Sequence, residues 1–469
     1  MFIGREKEME ILNRRYASGK FEFLTIYGRR RVGKTALIRE FCKDKKTIFF
    51  PAIETDARNN LDLLSMAIYA CTDPNSTARP PFERFYQAFD YIAEFAEKEK
   101  IVFVIDEFPY LAESERSLMS VLQQMIDHKF QNMDMMLILC GSSMSFMEHQ
   151  VHGYKSPLYG RRTGQIKLLP FRYSDMTKWF PSYTPEDLTL VYAAVGGIPT
   201  YLREFSEGKT VRQNILDALM GSDALLIEEP SNLLKQEMRE PKIYNAIITA
   251  VAVGRTKLSE ISAAVGMDTG SVTKYIDNLI SIGIIKKEVP LLSENKKKTV
   301  YLVADNFFRF WYRFVPPNMG PILSGRMPEA FDVAVAPRLP EFMGLVFEDI
   351  CKEFLMYNDH CNPFIITRIG QWWGGDPVTK EQRQIDLVAL PHDDREVIVG
   401  SCKYRNEPAS LSALDRLKED AEAMGGRFKR TYYYIFSKSG FSSSLIDMAR
   451  SDGQIRLISL DELYGRHLS

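Results

Sequence analysis

Gly28-Arg29-Arg30-Arg31-Val32-Gly33-Lys34-Thr35 spaces two glycines, an ammonium group and a hydroxyl in the pattern Gly-x4-Gly-Lys-Thr, which suits a triphosphate. Gly28 and Gly33 let the backbone fold tightly enough for its N–H groups to point inward, and the positive end of the following helix adds attraction for an anion. Lys34 would reach the β and γ phosphates, and the Thr35 hydroxyl would ligate magnesium. A second run, Ile101-Val102-Phe103-Val104-Ile105-Asp106-Glu107, is an apolar strand ending in two acids. There Asp106 would share the magnesium ion with Thr35, and Glu107 would polarise an attacking water. The structural alternative is that these acids merely cap the next helix. Of the three consecutive arginines in the loop, two are expected to face solvent.

Such a site needs a strand before the loop and a helix after it. Phe21 to Tyr27 reads as that strand, and a helix is predicted from about Lys34. Further strands are predicted at 47–51, 101–105, 135–140 and 166–169, with helical spacing at 82–98 and 117–129 between them. This alternation is that of an α/β domain with a parallel sheet. From about Tyr173 to Leu234 helices dominate, broken by Gly196-Gly197-Ile198-Pro199.

With those motifs in place, the first 235 or so positions resemble the archaeal-type ATPases of the signal-transduction (STAND) branch of the AAA+ class. Phe2-Ile3-Gly4-Arg5-Glu6-Lys7-Glu8 is similar to that family's Gly-Arg-x-x-Glu element, which implies Gly4 and Arg5 near the adenine and ribose. Leu139-Cys140-Gly141-Ser142-Ser143 resembles the strand ending in a polar sensor of the γ-phosphate, here Ser142. Gly196 to Leu202 resembles the Gly-x-Pro element of a helical lid, with Pro199 at the nucleotide. The resemblance also implies Arg161 and Arg162 as γ-phosphate arginines; without it they read equally well as surface residues. It favours ATP over GTP, in keeping with the lack of a guanine-reading Asn-Lys-x-Asp run, and implies a slow nucleotide-driven switch.

Residues 258–267 read as a short helix and turn, and Asp268 stands as the N-cap of a second helix through Ile280. Val272, Ile276, Leu279 and Ile280 share an inward face, leaving Ser271, Thr273, Lys274 and Asn278 outside, where a recognition helix carries small polar and basic groups. Ile284-Ile285-Lys286-Lys287 and Asn295-Lys296-Lys297-Lys298-Thr299-Val300-Tyr301-Leu302 then form two strands with a lysine-rich tip, a winged helix-turn-helix. Its lysines could neutralise the phosphates of double-stranded DNA. Packing between domains without DNA is the competing reading.

From about 341 to 436 the order is helix, three strands, helix, strand. Glu348, Gln384-Ile385-Asp386, Val397 to Lys403 and Trp372-Trp373-Gly374-Gly375 resemble the DUF234-type C-terminal domain and, through it, the PD-(D/E)xK restriction-endonuclease-like fold. That resemblance implies Asp386, Lys403 and Glu348 as a magnesium-dependent nuclease centre. Ser401 stands where the pattern has an acid, so weak or absent cleavage is expected, because magnesium prefers carboxylate oxygen.

The 469 residues exceed one hydrophobic core. Four segments are expected: a P-loop core over 1–175, a helical lid over 176–238, the winged helix over 239–318 and the nuclease-like α/β domain over 335–469. A formal net charge of −1 confines any nucleic-acid contact to local patches. No apolar run is long enough to span a bilayer, so no membrane partner is expected. Scattered Cys42, Cys71, Cys140, Cys351, Cys361 and Cys402, together with the lack of an export signal, point to the cytoplasm. Three functions fit. They are an ATP-dependent regulatory switch, an ATP-gated nuclease, and a nucleotide-binding scaffold for a protein partner or for self-association.

Overall fold

The computed structural model describes residues 2–74, 79–293, 298–357, 362–376, 379–425 and 428–465. Chain contacts divide it into two compact units. The first runs to Phe171 and takes in Ile198–Thr200; the second holds Arg172–Gly197 and everything from Tyr201 onward.

The first unit is built on five strands: β1 (Glu22–Tyr27), β2 (Thr47–Pro51), β3 (Ile101–Asp106), β4 (Met135–Gly141) and β5 (Gly164–Lys167). Every pairing is parallel, in the order β2-β3-β4-β1-β5. β1, β3 and β4 are buried along their whole length, as expected of central strands covered by helices on both faces. Strand β5 begins two residues before the predicted start and stops at Lys167 rather than Leu169, whose side chain is exposed. The two helices predicted over 82–98 and 117–129 are Phe85–Ala96 and Leu118–His128. A further helix, Ala57–Thr72, is capped by Asp56 accepting from the Asn59 N–H.

In the second unit a short helix, Met176–Trp179, precedes helix Pro185–Val195, which starts at a Thr184–Asp187 capping box. Against it packs helix Asn306–Phe314, whose run Asn-Phe-Phe-Arg-Phe-Trp-Tyr-Arg-Phe buries Phe307, Phe308, Phe310, Tyr312 and Phe314. Asn306 Nδ2 donates to Tyr192 O at 3.2 Å, and the Tyr201 ring lies 4.6 Å from that of Phe307. Helices Pro241–Ala252, Leu258–Val265 and Thr269–Ser281 precede an antiparallel pair, β6 (Ile285–Glu288) and β7 (Val300–Val303). Val272, Ile276 and Leu279 are buried as their spacing predicts, and Ile280 is half-buried. Asp268 caps the last of these helices through the Ser271 N–H.

Helix Leu339–Tyr357 leads into β8 (Arg368–Gly375), β9 (Gln382–Leu390) and β10 (Glu396–Lys403), then helix Leu411–Met424 and β11 (Arg430–Ser437). That order matches the expectation through 436; helix Ser443–Ser451 and β12 (Ile455–Ser459) extend it. The sheet runs β12-β11-β10-β9-β8, antiparallel at β8-β9-β10 and parallel beyond. Among the described residues no helix is long and apolar enough to cross a membrane. Cys42, Cys71, Cys140, Cys351 and Cys402 are free thiols; Cys361 lies outside the described residues.

In this unit Tyr173 OH donates to Leu463 O at 3.0 Å, and the Arg172 guanidinium sits 3.3 Å from the centre of the Tyr357 ring. Beside them Glu353 is pushed up to about 7, by burial foremost and against the opposing Arg172 charge. Its Oε1 has no hydrogen bond among the described residues. A carboxyl raised in the folded state binds its proton more tightly there than in the unfolded chain, so it costs stability as pH rises from about 4.5 through about 7. Glu353→Gln is therefore expected to stabilise the second unit at pH 8 by on the order of 2 kcal/mol and to leave it nearly unchanged at pH 5. Urea melts at the two pH values check this; an equal effect at both would exclude the titration as the cause.

Candidate nucleotide site and the C-terminal strand ends

The loop Gly28–Gly33 joins the end of β1 to helix Lys34–Cys42. Gly28 passes so close to the chain end of β5 that a Cβ there would stand 2.3 Å from Leu168 O. Gly33 has φ 94°, a left-handed value natural to glycine, and opens the helix. The buried Lys34 ammonium turns back into the loop, donating to Gly28 O at 2.9 Å and Arg29 O at 3.1 Å. It thus lies within the ring of main chain that would surround phosphate.

Thr35 Oγ1 donates to Asp106 Oδ2 at 2.7 Å, bringing together the two oxygens expected at magnesium. Asp106 is buried at the end of β3, and its Oδ1 accepts from the Glu107 N–H at 3.1 Å. Glu107 adopts φ 52° and accepts from Ser142 at the end of β4, from Oγ at 2.8 Å and from N at 3.2 Å. Ser142 therefore holds the carboxylate expected to orient water. Glu107→Gln is expected to slow nucleotide turnover by about 100-fold or more while leaving affinity within a few-fold, because the amide keeps the shape but not the basicity. Stopped-assay phosphate release and equilibrium binding separate the two; a parallel loss of affinity would assign Glu107 to binding instead.

Arg5 Nη2 donates to Val32 O at 3.1 Å, tying the N-terminal element to the phosphate loop. Gly4 and Arg5 both have φ 70°, and a Cβ on Gly4 would meet the Phe171 ring at 2.7 Å. The Arg5 guanidinium lies 4.1 Å from the centre of that ring. Phe171 is a partner that sequence reasoning missed, since nothing in Leu169-Pro170-Phe171 signals a contact with the chain's start. Pro199 Cγ sits 3.6 Å from where a Gly33 Cβ would stand, so this proline reaches the loop.

Arg161 and Arg162 are held elsewhere in the unit. Arg161 makes a two-point ion pair with Asp127, Nε to Oδ1 and Nη2 to Oδ2, both at 2.7 Å, and also donates to Pro157 O and Tyr159 O. Arg162 donates to Gln165 Oε1. Neither joins Lys34, Asp106 and Glu107 in this state. Of the three loop arginines, two of which were expected to face solvent, Arg29 is buried, while Arg30, which donates to Tyr110 OH at 2.8 Å, and Arg31 are partly exposed. The Arg30 bond ties the loop to the helix Phe108–Ser114, which residue type alone did not reveal.

In the second unit, Asp386 on β9 faces β10, where its Oδ2 accepts from Cys402 N at 2.9 Å and from Ser401 Oγ at 3.5 Å. Glu348 on helix Leu339–Tyr357 accepts from Gln371 Nε2 at 2.5 Å. Burial foremost, then the nearby Asp386 charge, pushes Glu348 up to about 8. The structure thus brings Glu348 and Asp386 together. The cations acting on Glu348 are Lys352 and Lys286 rather than Lys403, which ends β10. Cys402 instead meets the thiol of Cys351. Ser401 thus leaves two carboxyl groups, Asp386 and a Glu348 already held by Gln371, where the expected pattern has three acids for magnesium. Among the described residues no group of three or more His, Cys, Asp or Glu side chains could hold a metal ion.

Of the expected wing lysines, Lys286 is turned inward, with Nζ 2.7 Å from Asp349 and 2.8 Å from Glu288. Lys287 is exposed, and Lys298 Nζ lies 3.5 Å from Trp373 O. Asn295, Lys296 and Lys297 lie outside the described residues. On the preceding helix Lys274 is exposed, while Asn278 Nδ2 donates to Tyr244 OH at 2.7 Å.

A family described as an ATPase domain predominantly from Archaea matches residues 2–205, and DUF234, described as archaeal and bacterial proteins of unknown function, matches residues 311–420. The uncharacterised protein MJECL04 of Methanocaldococcus jannaschii is 34% identical over 411 residues, covering 87% of this chain and 88% of its own. The uncharacterised ATP-binding protein MJ0423 of the same organism is 48% identical over 46 residues, 10% of this chain and 78% of that one. Among solved structures, a Walker-type ATPase of Pyrococcus abyssi aligns with a TM-score of 0.48 at 19% identity, over 66% of this chain and 96% of that chain. With the P-loop on a five-stranded parallel sheet, and a relative matched along most of both lengths, the chain belongs to the archaeal ATPase family that carries a DUF234 module toward the C-terminus.

Proposed function

We propose that this chain is an ATP-hydrolysing, magnesium-dependent regulatory switch of the cytoplasm, whose nucleotide state governs a winged helix-turn-helix and a non-cleaving nuclease-like module. One observation carries the reading. Lys34 turns into the loop onto two of its carbonyls, Gly28 O and Arg29 O, while Thr35 and Asp106 touch at 2.7 Å beside Glu107. Thr35 and Asp106 would hold the magnesium ion, which when bound supplies positive charge to the β and γ phosphates. Lys34 binds those phosphates, Glu107 positions the attacking water, and Ser142 fixes the Glu107 carboxylate. Release of Glu107 from Ser142 would accompany activation. In this reading Arg161 must leave Asp127 before it can meet a γ-phosphate.

Helices Leu258–Val265 and Thr269–Ser281 followed by the β6–β7 ribbon support the winged-helix reading. Duplex DNA is its proposed partner, through Lys274 and Lys287. Fluorescence anisotropy with a mixed-sequence duplex tests this. The log–log dependence of affinity on salt should flatten by roughly one unit for each of Lys274→Ala and Lys287→Ala. No binding even at low salt would replace DNA by a protein partner or self-association. The nuclease alternative is disfavoured by the Ser401–Asp386 and Gln371–Glu348 contacts. Cleavage of a plasmid with magnesium or manganese, lost in Asp386→Ala and Lys403→Ala, would restore it.

A further inference from the structure

Within the second unit, a cavity of about 450 Å³ lies where β6, β7 and helix Asn306–Phe314 meet helix Leu339–Tyr357 and strands β8 and β9. Phe342, Leu345, Val300 and Leu302 supply apolar wall. Its polar groups are unevenly used. Lys286 is engaged by Asp349 and Glu288, and Arg309 gives Nη2 to Asp349 at 2.9 Å. Lys352 Nζ, by contrast, stands 3.9 Å from Glu288 and 3.9 Å from Asp349, beyond hydrogen-bond length. Arg309 Nη1 lacks an acceptor among the described residues. Gln384 and Trp373 line the same space, and no side-chain hydrogen bond of either is present among the described residues.

We propose that this cavity binds a nucleotide-class ligand, with a planar heterocycle against Trp373 and Phe342, its polar edge on Gln384, and its phosphate at Lys352. Three features select that class. The volume and the mostly apolar wall with a few convergent polar groups are those of a small-molecule site. An amide side chain offers both a donor and an acceptor, matching the mixed edge of a nucleobase, and an indole provides an aromatic face for it. Lysine acts toward phosphate as a point charge; Asp349 is paired with Lys286 and Arg309, Glu288 with Lys286, and burial pushes the Glu348 carboxyl of the same cavity up to about 8. The cavity shares no residue with the phosphate loop, and its ligand goes beyond the ATPase reading. Because β6, β7 and helix Leu339–Tyr357 all contribute to it, a bound ligand would bias how the ribbon packs on the C-terminal module.

Calorimetric titration of the full chain carrying Lys34→Ala, which takes the ammonium group out of the triphosphate cradle and weakens binding there, tests this. The probes are adenosine, guanosine, cytidine and uridine 5′-monophosphates, the four nucleosides, and inorganic phosphate. At least one monophosphate is expected to bind once per chain, about tenfold or more tighter than its nucleoside and than phosphate alone. Gln384→Leu, which removes the amide edge, and Leu345→Trp, which fills the cavity from a half-exposed position, should each weaken it by about tenfold while melting like the parent. The proposal is overturned if no monophosphate binds, if inorganic phosphate binds equally well, or if two folded cavity variants leave the affinity unchanged.

Discussion

Lys34→Ala is expected to abolish ATP turnover, by on the order of 100- to 1000-fold, and to weaken ATP binding by on the order of 2 kcal/mol. In the structure the Lys34 ammonium spans Gly28 O and Arg29 O, two carbonyls of the loop that would enclose the phosphates. A bound triphosphate would exchange those neutral acceptors for anionic oxygens, so the charge-assisted bonds form only with nucleotide present. The bonds strengthen further as charge develops on the γ-phosphate, so turnover should fall more than affinity. Lys34→Arg should not restore it, because a planar guanidinium is too large for the space between Gly28 and Arg29 and cannot act as a compact charge. Phosphate release and binding of a non-hydrolysable analogue distinguish the two effects. Wild-type affinity and turnover in the alanine variant would remove the nucleotide site from this loop.

Asp349→Ala should destabilise the second unit by about 2–4 kcal/mol at pH 7. Asp349 Oδ1 lies 2.7 Å from Lys286 Nζ and Oδ2 2.9 Å from Arg309 Nη2. Removing the carboxylate leaves Lys286 with Glu288 but strips Arg309 of its carboxylate partner, in a cluster only partly open to water. Its side chain retains 27% exposure, which is why the expected cost stops short of that for a fully enclosed pair. Burial alone would raise the Asp349 carboxyl. Lys286, then Arg309 and Lys352, outweigh that and hold it well below the usual carboxylate range. A carboxyl depressed by folding contributes stability above its unfolded pKa of about 4 and loses it as pH falls further. The difference between wild type and Asp349→Ala should therefore be full at pH 7 and shrink below about pH 4. Urea unfolding of the second unit measures it; overlapping curves at pH 7 would show that the cluster adds nothing to stability.

Much of the first unit was legible because its motifs are local. A strand, a Gly-rich turn and a helix follow one another in the chain, so Gly28, Gly33, Lys34 and Thr35 needed no tertiary information to be placed at one loop. The same holds for β2, whose predicted and observed limits are both Thr47–Pro51. Pairing Asp106 with Thr35 required only that β1 and β3 belong to one parallel sheet, although β4 lies between them. The helix Thr269–Ser281 was equally readable from its Asp268 cap and the spacing of Val272, Ile276 and Leu279.

What failed to show in the residues alone was which distant partner several charged and aromatic side chains would find. Lys286 and Lys287 are identical neighbours on one strand. The pleat sends one to Asp349 and leaves the other in water, so only one remains for phosphate. Arg161 carries the same charge wherever it points, and helix Leu118–His128 decides its position by presenting Asp127. Phe171 meets Gly4 and Arg5 across most of the first unit's sequence. Sequence by itself determined the elements and the phosphate-binding chemistry, since backbone propensity, hydrophobic period and a contiguous loop are short-range properties. Tertiary structure alone decided which ionisable groups are neutralised and which stay available, because Coulomb energy and burial depend on neighbours brought together from far along the chain.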